Sequence, residues 1–107
     1  MNTQYKKGVL ELCVLSLLLE RDCYGYDVSE ILSKYIDISD GTVYPILRKL
    51  RSEGLVTTYL SEESGGPPRK YYKLTESGKT EYAKGKDEWL AFVGTVQKLL
   101  KGELENE

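Results

Sequence analysis

Residues 39–55 read SDGTVYPILRKLRSEGL. Val43, Ile46, Leu47 and Leu50 fall at i, i+3, i+4 and i+7, the spacing of a single helix face. At about 100° per residue they gather within one third of the helix circumference. A helix patterned in this way must lay that face on a core, and it leaves the opposite face for another purpose. Thr42, Pro45, Arg48, Lys49 and Ser52 point the opposite way, with Tyr44 and Arg51 at the borders. Thr, Arg, Lys and Ser hydrogen-bond phosphates or base edges. The plain alternative is an ordinary solvated face.

The neighbouring segments decide between these readings. Residues 9–19 are apolar at nearly every position and rich in leucine, which predicts a helix buried on most sides. Val28, Ile31, Leu32 and Tyr35 repeat the i, i+3, i+4, i+7 spacing before DISDG breaks it. Gly54 ends the third helical pattern. Residues 55–60 and 69–74 are rich in Tyr, Thr, Val and Leu and flank the turn cluster SEESGGPP, which predicts a two-stranded hairpin. Residues 76–100 form one long helical pattern with Thr75 as its N-cap. Three short helices, a hairpin and a long helix give a mainly α fold with a small β-hairpin. This is the outline of a winged helix-turn-helix, whose third helix is the recognition element. The expected division is residues 1–75 as the winged helix-turn-helix and 76–107 as a dimerisation helix and tail.

The hairpin tip carries Gly65 and Gly66, which let a backbone approach closely, followed by Arg69 and Lys70. A cationic tip beside a cationic helix face suits a DNA groove and its flanking phosphates. Charge agrees modestly. Residues 39–75 hold six basic and four acidic side chains, between flanks that are each net −2, in a chain of net charge −2. So weak a basic footprint implies few phosphate contacts per subunit, and hence a need for two subunits.

Pro45 constrains where the third helix starts. Its ring collides with the carbonyl four residues back, at a cost of roughly 3 kcal/mol inside a helix. With Thr42 as N-cap, Pro45 falls in the first turn, where its missing N–H has no partner to lose. Alternatively, a tight turn starts at Ser39 with a kink opposite Gly41. Either start presents unpaired N–H groups and a positive dipole that favour a phosphate.

Other classes fall away on composition. The chain has no histidine, which excludes histidine general bases, triads and histidine metal sites. Cys13 and Cys23 are too few for a disulfide framework, and Cys13, in the most apolar segment, is expected to be a buried small hydrophobe. No phosphate loop appears and no cofactor is expected. No apolar run reaches the length of a membrane span, and the two lysines before the first apolar run lack a following cleavage site, so a cytoplasmic location is expected. The competing reading is a winged-helix protein-interaction adaptor that does not bind DNA. The cations aligned on helix and wing argue against it.

The motifs YGYDV at 24–28, GTVYPILRKLRSEGL at 41–55 and GGPPRKYYKLTESG at 65–78 resemble those of the PadR family of bacterial transcriptional regulators, in the family's order and spacing over nearly the whole chain. The resemblance implies a winged-helix DNA-binding domain, a C-terminal dimerisation helix and usually repression relieved by a small molecule. By position, Tyr44, Arg48, Arg69 and Lys70 match the family's DNA-contacting elements. Ser39, Thr42, Pro45, Lys49 and Gly66 complete the expected DNA-binding set.

The last helix reads as a dimer element on its own pattern. Its 25 predicted residues span roughly 37 Å, longer than a compact domain of this size accommodates. Trp89, Phe92, Val93, Val96, Leu99 and Leu100 form an apolar stripe with approximate heptad spacing. An exposed stripe of that size needs a partner, and the same helix of a second copy fits; the alternative is a helix folded back on its own core. Gly94, beside the stripe, permits close approach. Trp89 and Phe92 have a second expected role. In drug-sensing relatives a tryptophan on the final helix lines an effector site, at a similar distance after LTESG. A planar aromatic or lipophilic small molecule would stack there.

Overall fold

The computed structural model describes residues 3–62 and 65–103, with side chains from residue 8 onward. Met1, Asn2 and 104–107 of the two expected domains, and Glu63 and Ser64 of the hairpin loop, lie outside the described residues. The elements run α1 (Thr3–Glu20), β1 (Cys23–Tyr24), α2 (Gly25–Ser33), α3 (Asp40–Ser52), β2 (Val56–Ser61), β3 (Arg69–Leu74) and α4 (Glu76–Lys101).

The stripe on α3 does what its spacing requires. Val43, Ile46, Leu47 and Leu50 are its buried residues. They meet Leu10, Val14, Leu15 and Leu18 of α1, Val28 and Leu32 of α2, and Val56, Tyr72 and Leu74 of the sheet in one core. Burying a Leu or Ile side chain contributes about 1.5–3 kcal/mol, so this cluster sets how α3 is seated.

Three expectations need correction. First, the hairpin is part of a three-stranded antiparallel sheet of order β1-β3-β2. Cys23 and Tyr24 pair with Tyr72 and Tyr71. Two residues are too few to show a strand period, so β1 depends on the edge of β3 that it covers. Second, α2 ends at Ser33, and Tyr35 lies beyond it, 83% exposed. Ile36 and Ile38 pack on the core instead, because the chain has already turned. Third, Cys13 is only half-buried and Cys23 is the fully buried thiol. The continuous apolar run on α1 leaves some of its members off the core face.

Both ends of α3 are fixed by hydrogen bonding. Ser29, a buried polar residue on α2, donates its hydroxyl to the Asp40 carboxylate at the first position of α3. At the far end, Gly54 adopts φ 76°, Leu55 N–H reaches Leu50 O at 3.0 Å, and Gly54 N–H reaches Arg51 O at 3.0 Å. That pair of bonds is the Schellman closure of a helix.

Thr75 caps α4 as expected, its hydroxyl oxygen accepting from Gly78 N–H at 3.0 Å. The same hydroxyl donates to Gly54 O at 2.7 Å, tying the start of α4 to the end of α3. Gly78 is required there: a Cβ would lie 2.1 Å from Leu55 O. Tyr82 also packs on the core, and Gly85 passes close to Leu12 of α1. The helix then runs on past the core to Leu99 and Leu100, which are exposed, and the molecule measures 64 × 28 × 21 Å. The described chain is a winged helix-turn-helix with a long C-terminal helix.

Candidate nucleic-acid interface

α3 begins at Asp40 with Ser39 as N-cap, so Thr42 is not the cap and Pro45 stands sixth in the helix. Thr42 N–H and Val43 N–H both reach Ser39 O, at 3.0 and 3.3 Å, which tightens the first turn. The carbonyl that Pro45 deprives of a donor belongs to Gly41, an exposed residue without a side chain. Water can satisfy that carbonyl, so the proline is accommodated at an amino end that points outward.

The polar residues of α3 divide between two flanks. Tyr44 and Lys49 are five residues apart, about 140° around the helix. Tyr44 is half-buried towards α2, its ring resting on Gly25: a Cβ on Gly25 would come within 2.7 Å of Tyr44 Cε1. Burial raises the pKa of the Tyr44 phenol, with the nearby Asp40 carboxylate adding to the rise. The hydroxyl therefore stays a hydrogen-bond donor well above neutral pH. Lys49 turns the other way and pairs with Glu11 of α1 at 2.7 Å, which raises its pKa. Arg48 lies between, exposed, and makes no ion pair among the described residues. Ser39 and Pro45 are exposed, and Thr42 is half-buried.

The wing brings its cations to the Tyr44 flank. Arg69 and Lys70 open β3, both exposed, and Gly66 is exposed in the loop with nothing near its Cβ position among the described residues. Strand alternation places their side chains on opposite faces of the sheet. The Arg69 guanidinium lies 4.7 Å from the centre of the Tyr24 ring, and Lys70 Nζ lies 5.9 Å from that of Tyr72. Tyr24, Gly25, Tyr26, Tyr44, Arg69, Lys70 and Tyr72 line one hollow of about 230 Å³. The structure thus gathers Tyr44, Arg69 and Lys70 and sends Lys49 elsewhere. The helical wheel puts Lys49 on the same outward face as Arg48, within the expected DNA-binding set. Its partner Glu11, 38 residues away, is a tertiary contact that no local pattern displays.

Lys49 belongs to a second concavity, of about 710 Å³, between α1, α4 and the end of α3. Leu12, Leu15, Leu50, Leu55, Trp89 and Phe92 supply apolar surface, and Glu11, Glu53, Glu81 and Glu88 surround it with carboxylates. The Trp89 and Phe92 rings are 6.2 Å apart. Val93 and Val96 are half-buried, whereas Phe92, Leu99 and Leu100 are 47%, 55% and 82% exposed. Leu90, also 56% exposed, was not singled out by the heptad pattern.

A model of the transcriptional regulator PadR-like family matches residues 14–84. Among curated proteins, the Bacillus subtilis (strain 168) negative transcriptional regulator PadR is 34% identical over 77 residues, covering 68% of this chain and 42% of that protein. An uncharacterised protein of Lysinibacillus sphaericus is 29% identical over 90% of this chain and 92% of its own length. Among solved structures, a PadR-like transcriptional regulator from Bacillus cereus strain ATCC 14579 is 37% identical with TM-score 0.84, covering 92% of this chain and 97% of that one. A Streptococcus transcriptional regulator is 31% identical with TM-score 0.85, over 92% and 98%. The chain spans less than half the length of the Bacillus subtilis relative and nearly all of the other three. From the matched family model, supported by a winged helix of the same form, the chain belongs to the PadR-like family of transcriptional regulators.

Proposed function

We propose that the chain binds double-stranded operator DNA as a homodimer and represses transcription until a small molecule releases it. The observation that carries this reading is the gathering of Tyr44 on α3 with Arg69 and Lys70 on the wing, while Arg48 stays exposed on the same helix. An arginine on the exposed face of a recognition helix meets base edges, and wing cations meet phosphates. Ser39, Thr42, Pro45 and Gly66 complete the proposed DNA-binding set. In this reading residues 1–75 hold the DNA and α4 joins two copies through Trp89, Phe92, Val93, Val96, Leu99 and Leu100. The site of action is the cytoplasm. No helix among the described residues is long and apolar enough to cross a membrane.

The effector enters at the cleft beneath Trp89 and Phe92. Four glutamates against one lysine, over an apolar floor, suit a planar or lipophilic cation. Titration with promoter fragments from the organism's own genome tests the whole reading. Some fragments bind far more tightly than random duplex, and lipophilic cations that quench Trp89 fluorescence release them. Equal affinity for every fragment contradicts specific regulation. An absence of quenching at concentrations that release DNA places the effector elsewhere. No binding to any duplex leaves the adaptor as the better account.

A further inference from the structure

Tyr24 lies in neither α3 nor the wing, and the DNA reading gives it no contact of its own. Its ring nevertheless carries the Arg69 guanidinium, 4.7 Å from the centroid. Tyr24 pairs with Tyr71, two residues along β3 from Arg69, so Arg69 and Tyr71 share a face and Arg69 reaches diagonally back across β1. Two further tyrosines contact the ring. Tyr26 stacks on it at 6.0 Å, and Tyr71 lies at 5.9 Å. Tyr71 is in turn stacked on Tyr59 at 5.6 Å, and the Tyr59 hydroxyl donates to Asp22 at 2.6 Å.

We infer that Tyr24 is a positioning residue for Arg69 in DNA binding, a role that rests on the DNA reading above. A guanidinium stacked on a ring uses its flat face and keeps its N–H edges free to donate to a phosphate. An arginine at a wing tip otherwise samples many rotamers and loses that freedom when it binds. Stacking orders it beforehand, and preordering strengthens binding. A cation–π contact at an exposed site corresponds to about two- to fivefold for each subunit, or about 5- to 30-fold for a dimer.

The test is the affinity of a fluorescently labelled duplex at fixed salt, measured for wild type, Tyr24→Leu, Tyr24→Phe, Arg69→Ala and the Tyr24→Leu/Arg69→Ala pair. Tyr24→Leu weakens binding about 5- to 30-fold. Phe at the same position, which keeps the ring, rescues it. In the Arg69→Ala background the Leu substitution costs nothing further. Losses that add across the two backgrounds overturn the inference, because Tyr24 then acts without Arg69. Failure of Phe to rescue also overturns it. If wild type binds and Arg69→Ala binds equally well, the inference falls while the DNA reading survives through Arg48. If wild type binds no duplex at all, the DNA reading falls and this inference with it. Should Tyr24→Leu lose its helical circular dichroism, Arg69→Lys carries the same test. It keeps the charge but gives up the stacking face, so affinity falls while the salt slope stays; wild-type affinity in that variant overturns the inference.

Discussion

Arg48 and Lys49 are neighbours in the chain, but one residue of helix sends them about 100° apart. Lys49 reaches Glu11, while Arg48 stays exposed on the outward face. Arg48→Ala is therefore expected to weaken specific DNA binding by about 1–3 kcal/mol and to relax one position in each half-site, preferably a guanine. Competition binding with single-base operator variants measures this; uniform weakening across sequences would make Arg48 a phosphate contact. A second residue-scale expectation concerns pH. Burial raises the thiol pKa of Cys13 and Cys23, and burial likewise leads the rise for Tyr44. Each group holds its proton more tightly in the folded state than in the unfolded chain. Their contribution is complete below the ordinary values and is lost as pH rises through the folded ones. Urea unfolding should show stability falling from near 9.0, the ordinary thiol value, and on past 10.0 as Tyr44 joins. Replacing both cysteines by alanine should remove the first part of that fall, and a stability that rises over the same range would contradict the assignment. At this scale the sequence disclosed residue types and faces. It did not disclose that Gly25 seats Tyr44 or that Glu11 holds Lys49, since both pairings join segments far apart in the chain.

Elements with a strong period were legible: the buried face of α3 is the four-residue stripe that its spacing predicts, and β3 has its expected bounds. β1 was not legible, because two residues carry no period. The start of α3 was ambiguous for a physical reason. Pro45 argues for a late start, whereas the tight first turn on the Ser39 carbonyl and the Ser29–Asp40 bond act together to allow an early one. α4 carries the clearest expectation at this scale. Its first turns are anchored by Thr75, Gly78 and Tyr82, and in the stripe beyond, Leu99 and Leu100 are exposed among the described residues. Val93→Asp with Val96→Asp should shift a dimer towards monomer in sedimentation equilibrium at micromolar concentration and abolish operator binding, since charges at a desolvated seam are costly. A wild-type mass near one chain would remove the dimer from this account.

The whole molecule is net acidic, at −2, yet DNA binding depends on local charge. Counterions leave the phosphates that a cation neutralises, whatever the charge on distant flanks. The acidic residues cluster partly around the Trp89 cleft, away from the hollow shared by Tyr44, Arg69 and Lys70. Composition alone therefore understates the basic character of the proposed interface. The most direct measurement is the dependence of duplex affinity on salt, for wild type and for Arg69→Ala/Lys70→Ala. Two subunits making about three phosphate contacts each predict a slope of log affinity against log salt near −5, at about −0.9 per contact. Removing up to four wing contacts per dimer should flatten it by about 3 to 4 and weaken all sequences alike. An unchanged slope in the double variant would mean that the wing does not touch DNA.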